Sequence, residues 1–298
     1  MLGLAALGNL LAFYGQGIRY LIGAPAIILL ALLTAKAVMF PASIREGFAN
    51  PVVAGVMAAY AMSITILSTY LAPFSQPAGR LMWFTGMLLH AVMIICFIRS
   101  YLLKFNIKKV FPSYFVMFVG IIAGSVTAPV FGLQAAGQLI FWTGFIAYLI
   151  LIPVVLYRIY VVRQIPGPAV PTLAILAAPA SLSLAGYLNS FSEKSMTMIS
   201  MLTALSLIMF FLTLSQMPGM MKSGFSPAYS AFTFPFVISA AAIKGTAIFL
   251  SSNQIAPAFI APLARVMELW AFVMVLFVLF SYIRFMLPSP AKAGAPAG

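Results

Sequence analysis

Runs of about 20 apolar residues, the length an α-helix needs to cross a bilayer core, follow one another along nearly the whole chain with only short polar breaks. The pattern predicts ten spans, at approximately 1–15, 19–41, 51–73, 80–104, 112–132, 133–158, 170–190, 194–217, 226–250 and 258–287. The runs are too long and too uniformly apolar for barrel strands, and in lipid a helix satisfies each backbone N–H and C=O within its own segment. The fold class expected is therefore an all-α integral membrane protein. It forms a single transmembrane domain over 1–287 with a short Pro/Ala/Gly-rich tail at 288–298. The first run lacks the basic n-region and small-residue cleavage site of a signal peptide, and reads as part of a membrane helix.

Within this pattern a longer period emerges. Segments of similar design begin four of the odd spans: FANPVVAGV at 48, FPSYFVMFVG at 111, PAVPTLAILAAPAS at 168 and FSPAYSAFTFPF at 225. Their leading prolines, Pro51, Pro112, Pro171 and Pro227, are 61, 59 and 56 residues apart, one helical hairpin per repeat. Proline suits a first helical turn, where its missing N–H has no partner to lose. Hairpin copies share one orientation and can be related by rotation about the membrane normal, so five hairpins can close a ring. The odd spans are richer in small and helix-perturbing residues and the even spans are bulkier, which places odd spans inside and even spans toward lipid. Run backwards, the period puts the first repeat's proline about nine residues before Met1, so the first helix is expected to be shortened, by a late start or by trimming.

Eight residues beyond each leading proline stand Ala59, Gly120, Pro179 and Pro235. This is roughly 12 Å into each helix by the helical rise, near mid-membrane. A proline within a helix removes a hydrogen bond and kinks it, and kinks at one depth are what a waist in a central pore would use. Membrane helices also carry Pro and Gly for packing alone. Both readings stand on the sequence.

Composition sharpens this picture. The chain is 64% hydrophobic and 6% charged, whereas soluble domains are about 45–50% apolar with about a quarter of their residues charged. Sixteen Lys and Arg against three acids give a formal charge of +13, but location argues against a nucleic-acid partner. Lys36, Arg45, Arg99, Lys104, Lys108, Lys109, Arg158, Arg163, Lys222, Arg284 and Lys292 fall on one side of the ten-span layout, and Arg19, Arg80 and Lys194 on the other. The positive-inside rule then puts both termini in the cytoplasm, and the expected location is the plasma (inner) membrane.

Candidate chemistry is sparse. Intramembrane charges are functional candidates by default, and here they are Lys244, Arg265 and Glu268. Arg265 and Glu268, at i,i+3, are expected to pair locally, with Lys244 joining them to fix the last span against the ninth; the alternative has the two cations attract anions or Glu268 carry a proton. His90, the only histidine, reads as a satisfied packing residue, and Cys96, the only cysteine, as a small hydrophobe. These residues supply neither a multi-ligand metal site nor a nucleophile–base set. No cofactor and no enzymatic activity is expected.

Residues GLAALGNLL at 3–11, PSYFV at 112–116, PTLAILAAPASL at 171–182 and above all FSPAYSAFTFPF at 225–236 resemble, in order and spacing, the slow-type anion channel family, also called the tellurite-resistance and C4-dicarboxylate transporter family. The resemblance spans about residues 1–287. It implies five quasi-repeated hairpins around a pore lined by the odd helices, a homotrimer with one pore per subunit, and passage of small inorganic or organic anions. It also implies that Phe234, directly before the proline of the ninth helix, blocks the pore. From the residues alone Phe234 is equally a packing aromatic between Phe232 and Phe236. The expected function is channel-like transport of small anions, and the alternative is a proton-coupled carrier or exporter of a C4-dicarboxylate, sulfite or related oxyanion.

Overall fold

The structure is a computed structural model that describes residues 1–222, 224–255 and 258–287; Lys292 and the expected tail at 288–298 lie outside them. Among the described residues regular structure is helical throughout. The α-helices are α1 (Leu2–Leu11), α2 (Gln16–Met39), α3 (Pro41–Ala49), α4 (Pro51–Leu71), α5 (Gln76–Phe97), α6 (Ser113–Phe118), α7 (Ile122–Thr127), α8 (Gln134–Tyr157), α9 (Ala178–Ser190), α10 (Met196–Met221), α11 (Phe234–Ser252) and α12 (Ile260–Met286).

With the 3-10 and π-helical turns continuous with them, eight helices are long and apolar enough to cross a membrane: Gln16–Met39, Pro51–Leu71, Gln76–Leu102, Gln134–Val162, Gly167–Ser190, Met196–Met221, Pro227–Ser252 and Ile260–Met286. The two other expected spans are shorter helices. The first covers Leu2–Tyr14, and the fifth is divided, leaving an apolar helix from Ile122 to Phe131 after α6. The short helix α3 occupies what the sequence reads as a connection.

Local chemistry sets the starts. Asn50 caps α4, its Oδ1 accepting from the amides of Val52 at 2.9 Å and Val53 at 3.3 Å, and Pro51 follows in the first turn. Cap and proline together meet the unpaired amides of a helix start. Pro227 likewise opens the 3-10 segment Pro227–Phe232, and Pro112 directly precedes α6. Pro171 differs from expectation: Pro168 opens the 3-10 segment Gly167–Ala177, and Pro171 lies inside it. A 3-10 run starting earlier meets its opening proline earlier.

Burial separates two layers. In the most apolar stretch of each span, 89% of Gly167–Ser190, 67% of Pro227–Ser252 and 61% of Pro51–Leu71 is buried, against 11% of Gln16–Met39 and no more than 33% of the others. The inner segments pack in a closed ring, α1 on α4, α4 on α6 and α7, α7 on α9, α9 on α11 and α11 on α1, and each is backed by the helix that follows it. Close approach depends on absent side chains: a Cβ on Gly144 of α8 or Gly186 of α9 would overlap Ile122 of α7.

Candidate functional site

The ring encloses a cavity of about 610 Å³. Its outer rim is formed by exposed residues at the starts of the inner segments, among them Asn50, Val53, Pro166, Pro168, Pro227 and Ser230. Its depths are lined by buried Leu2, Met62, Gly120, Pro179, Leu182, Phe234 and Pro235. The cavity therefore opens on the side that carries most of the basic connections. Among the described residues no charged side chain lines it. The lining hydroxyls already give their protons to backbone carbonyls: Thr172 to Ala169 at 2.6 Å, Thr233 to Ser230 at 2.7 Å, Ser230 to Pro227 at 3.1 Å and Ser226 to Pro168 at 3.3 Å.

Ala59, Gly120, Pro179 and Pro235 all reach this one cavity. In three of the four inner segments an α-helix does not run unbroken through this depth. Gly120 lies in the turn between α6 and α7, Pro179 in the first turn of α9 after the 3-10 run, and Pro235 in the first turn of α11 after Thr233, whose φ of −98° and ψ of −84° leave the helical region. α4 carries Ala59 and runs unbroken. The expected kinks are thus junctions between two helical pieces: a turn at Gly120, a non-helical residue before Pro235 and, at Pro179, a continuous change from 3-10 to α-helix. The physical reason is that a proline at the first turn of a new helix gives up no hydrogen bond, whereas a proline inside one continuous helix does. Gly120 is required for space: a Cβ there would overlap the Val116 carbonyl and the Met62 sulfur.

The break at Gly120 also accounts for the lone histidine. The amides of Val119 and Gly120 both donate to Phe115 O, at 2.9 and 3.0 Å. The carbonyl of Met117 faces His90 Nε2 of α5 at 2.9 Å. A carbonyl can only accept, so Nε2 carries the proton, and the buried His90 serves as a cap for the interrupted helix.

Three phenylalanines of one segment have different surroundings. Phe232 is wholly buried against the Tyr229 ring, with centroids 5.1 Å apart, and Phe236 lies against Phe210 at 5.7 Å and Trp270 at 6.0 Å. Phe234 makes no ring–ring contact among the described residues and lines the cavity floor. Packing on other rings accounts for the two flanking phenylalanines, whereas Phe234, buried in the same core, also borders the cavity.

None of the intramembrane charges lines the cavity. Lys244 Nζ lies 3.0 Å from both Glu268 carboxylate oxygens and 3.3 Å from Leu10 O, tying α11 to α12 and α1. The rings of Tyr14 and Phe13 lie 4.8 and 5.1 Å from the same ammonium. Arg265 is exposed, and the expected Arg265–Glu268 pair does not form, because Glu268 turns inward to meet Lys244 across the helix interface. Cys96 is exposed on α5.

Two arrangements escape sequence reasoning. Arg158 is buried although it belongs to the basic set, and its guanidinium donates to the carbonyls of Arg163, Gln164 and Lys108 and sits 5.5 Å over the Phe111 ring. Arg163 and Gln164 have φ of 55° and 59°, a left-handed turn that brings Pro166 and Pro168 to the cavity rim. The second is a buried hydroxyl cluster of Ser181, Ser206 and Ser239 on α9, α10 and α11. The Asn50 cap was not read from the sequence either, although an Asn directly before a proline that starts an apolar run is a signal that could have marked it.

A family profile described as voltage-dependent anion channel matches residues 1–283, the two-layered ring and the cavity included. The chain belongs to the voltage-dependent anion channel family. No curated protein matches it. Membership, together with the apolar helices, makes this voltage-dependent anion channel family member a multi-pass membrane protein of anion transport, in a family of channels and transporters rather than enzymes.

Proposed function

We propose that the protein is a channel for small anions, built of ten spans in five quasi-repeated hairpins around a central pore that Phe234 occludes. The observation that carries this reading is the contrast within one segment: Phe232 and Phe236 are consumed by packing, and Phe234 faces the floor of an uncharged cavity. Gly120, Pro179 and Pro235 set the waist around it. An apolar ring across such a constriction holds back ions by steric occlusion and dewetting. With no fixed cation in the wall, an anion binds weakly and leaves quickly. The lining hydroxyls can turn their protons from backbone carbonyls to a passing anion, each exchange involving about 1 kcal/mol. The basic residues around the rim raise the local anion concentration without holding any one ion.

With basic connections inside, the cavity faces the cytoplasm, as do both termini, in the plasma membrane. A homotrimer with one pore per subunit follows from the family resemblance. The carrier alternative, exporting a C4-dicarboxylate, sulfite or a related oxyanion such as tellurite with protons, would need a titrating group on the path, and Glu268 is held by Lys244 away from the cavity. The test is flux of chloride, nitrate, sulfite and malate into liposomes carrying wild type or Phe234→Ala, with and without a pH gradient. The expected result is larger flux in the variant, driven by the anion's own electrochemical gradient. Saturable flux that requires the pH gradient would replace the channel reading with the carrier.

A further inference from the structure

Between α9 and α11, directly behind the cavity floor, lies a polar cluster in otherwise apolar packing. Ser181, Ser206 and Ser239 are all wholly buried. Ser239 Oγ is 2.8 Å from the carbonyl of Pro235, 3.1 Å from that of Ala177 and 2.8 Å from Ser181 Oγ. Ser181 Oγ is also 2.8 Å from the Ala177 carbonyl and 2.7 Å from Ser206 Oγ. Ala177 is the last residue before α9, and Pro235 follows Phe234 in the first turn of α11. One hydroxyl therefore reaches the backbone beside two of the breaks that line the cavity.

The proton count matters. Three hydroxyls carry three protons, but they make five contacts of hydrogen-bond length. At any moment two contacts lack a proton, and rotating Ser239 alone exchanges a bond within α11, to Pro235, for one that crosses to Ala177. Within low-dielectric packing such choices carry more weight than in water.

We infer that Ser239, supported by Ser181 and Ser206, is a positioning residue for Phe234: its bond to the Ala177 carbonyl ties the start of α11 to the start of α9 and keeps the ring over the cavity floor. This rests on the reading of Phe234 as the occluding residue. Ser206 joins the network from the outer layer through Ser181.

The experiment is a four-way comparison of anion flux in liposomes for wild type, Ser239→Ala, Phe234→Ala and the double variant, with Ser239→Thr as the conservative substitution and thermal unfolding measured for each. Ser239→Ala is expected to raise flux roughly fivefold, the population shift that loss of one neutral hydrogen bond gives. It should add nothing in the Phe234→Ala background, and Ser239→Thr should restore the wild-type rate. Ser206→Ala, which touches the network only through Ser181, should act in the same direction with a smaller gain, and keeps the inference testable if Ser239→Ala does not fold. Equal gains in both backgrounds, or lowered thermal stability with unchanged flux, would overturn it. If Phe234→Ala itself brings no gain, the occlusion reading fails first and takes this inference with it; a gain from Phe234→Ala but none from the serine variants sinks the inference alone.

Discussion

The inner ring is built differently on the two sides of Phe234. Toward the cavity, the wall consists of the start of α4, the short α6 and the two 3-10 runs Gly167–Ala177 and Pro227–Phe232, with exposed residues at the rim and no charge along it. Beyond Phe234 the wall is α-helical, made of α1, α7, α9, α11 and the second half of α4, and several of its polar groups meet a partner on another helix. Ser125 meets Ser190 at 3.1 Å, Arg19 Nε meets Asn9 Oδ1 at 2.9 Å, and Lys244 meets Glu268. Where the wall is α-helical, some polar side chains cross-link helices, while Thr65, Ser68, Thr127 and Ser183 bond carbonyls of their own helices. Where it is 3-10 or broken, hydroxyls bond backbone carbonyls, Ser226 across to Pro168, and leave an open volume. The chain thus separates a packed half, which provides rigidity, from an open half, and puts Phe234 on the boundary.

The sharpest test of that boundary sets Phe234 against its neighbour. Phe232→Ala empties a filled site and should lower stability by about 3–5 kcal/mol, as large aromatic truncations in cores do, with no gain in flux by the protein that remains folded. Phe234→Ala, whose ring faces the cavity, should cost far less in thermal unfolding and raise flux about tenfold or more, the effect of a barrier lowered by roughly 1.4 kcal/mol. Equal destabilisation by the two variants would mean that Phe234 is another packing aromatic.

A second way to break the comparison is to make α4 like its neighbours. Ala59→Pro places a proline eight residues past Pro51, at the position where the other segments are interrupted. In the unbroken α4 it removes a real hydrogen bond, so a loss of about 3 kcal/mol is expected, read as a lower unfolding temperature in detergent. Smaller again is the effect on the packed half: Glu268→Gln should cost about 1–3 kcal/mol, discounted from a fully buried pair because Lys244 is partly exposed. It should leave the pH dependence of flux as in wild type.

How far the sequence spoke depended on what each residue competes with. Eight of the ten expected spans were legible because bilayer thickness dictates their length, while the first and fifth proved short or divided; the division into inner and outer layers was legible because small residues mark close helix approach. The depth of the breaks was legible too, since Gly120, Pro179 and Pro235 share a register with Ala59. Rotation of each helix was not: lipid and protein core are equally apolar, so hydrophobic periodicity carries little about which way a face turns. That is why the spacing of Arg265 and Glu268 offered a pair that does not form, and why the convergence of Ser181, Ser206 and Ser239 from three helices left no trace in the sequence. Arg158 counted as one more basic charge for the same reason, since its grip on the Arg163 and Gln164 carbonyls depends on a left-handed turn that no glycine marks.

The smallest expected effect says most about how the boundary is made. If Pro179 and Pro235 kinked continuous helices, replacing either with alanine would restore a hydrogen bond and raise stability substantially, by up to about 3 kcal/mol. At the first turn of a new helix no such bond exists to restore. The remaining change is the freedom alanine adds to the unfolded chain, a loss of about 0.4–1 kcal/mol. Pro179→Ala and Pro235→Ala should therefore each lower the unfolding temperature slightly, in contrast to the large drop from Ala59→Pro in α4. If the two segments instead became straighter and more stable, the breaks would be strain imposed by the prolines. A small loss means that the 3-10 runs hold their shape through their own packing, and that the prolines only match a boundary already present.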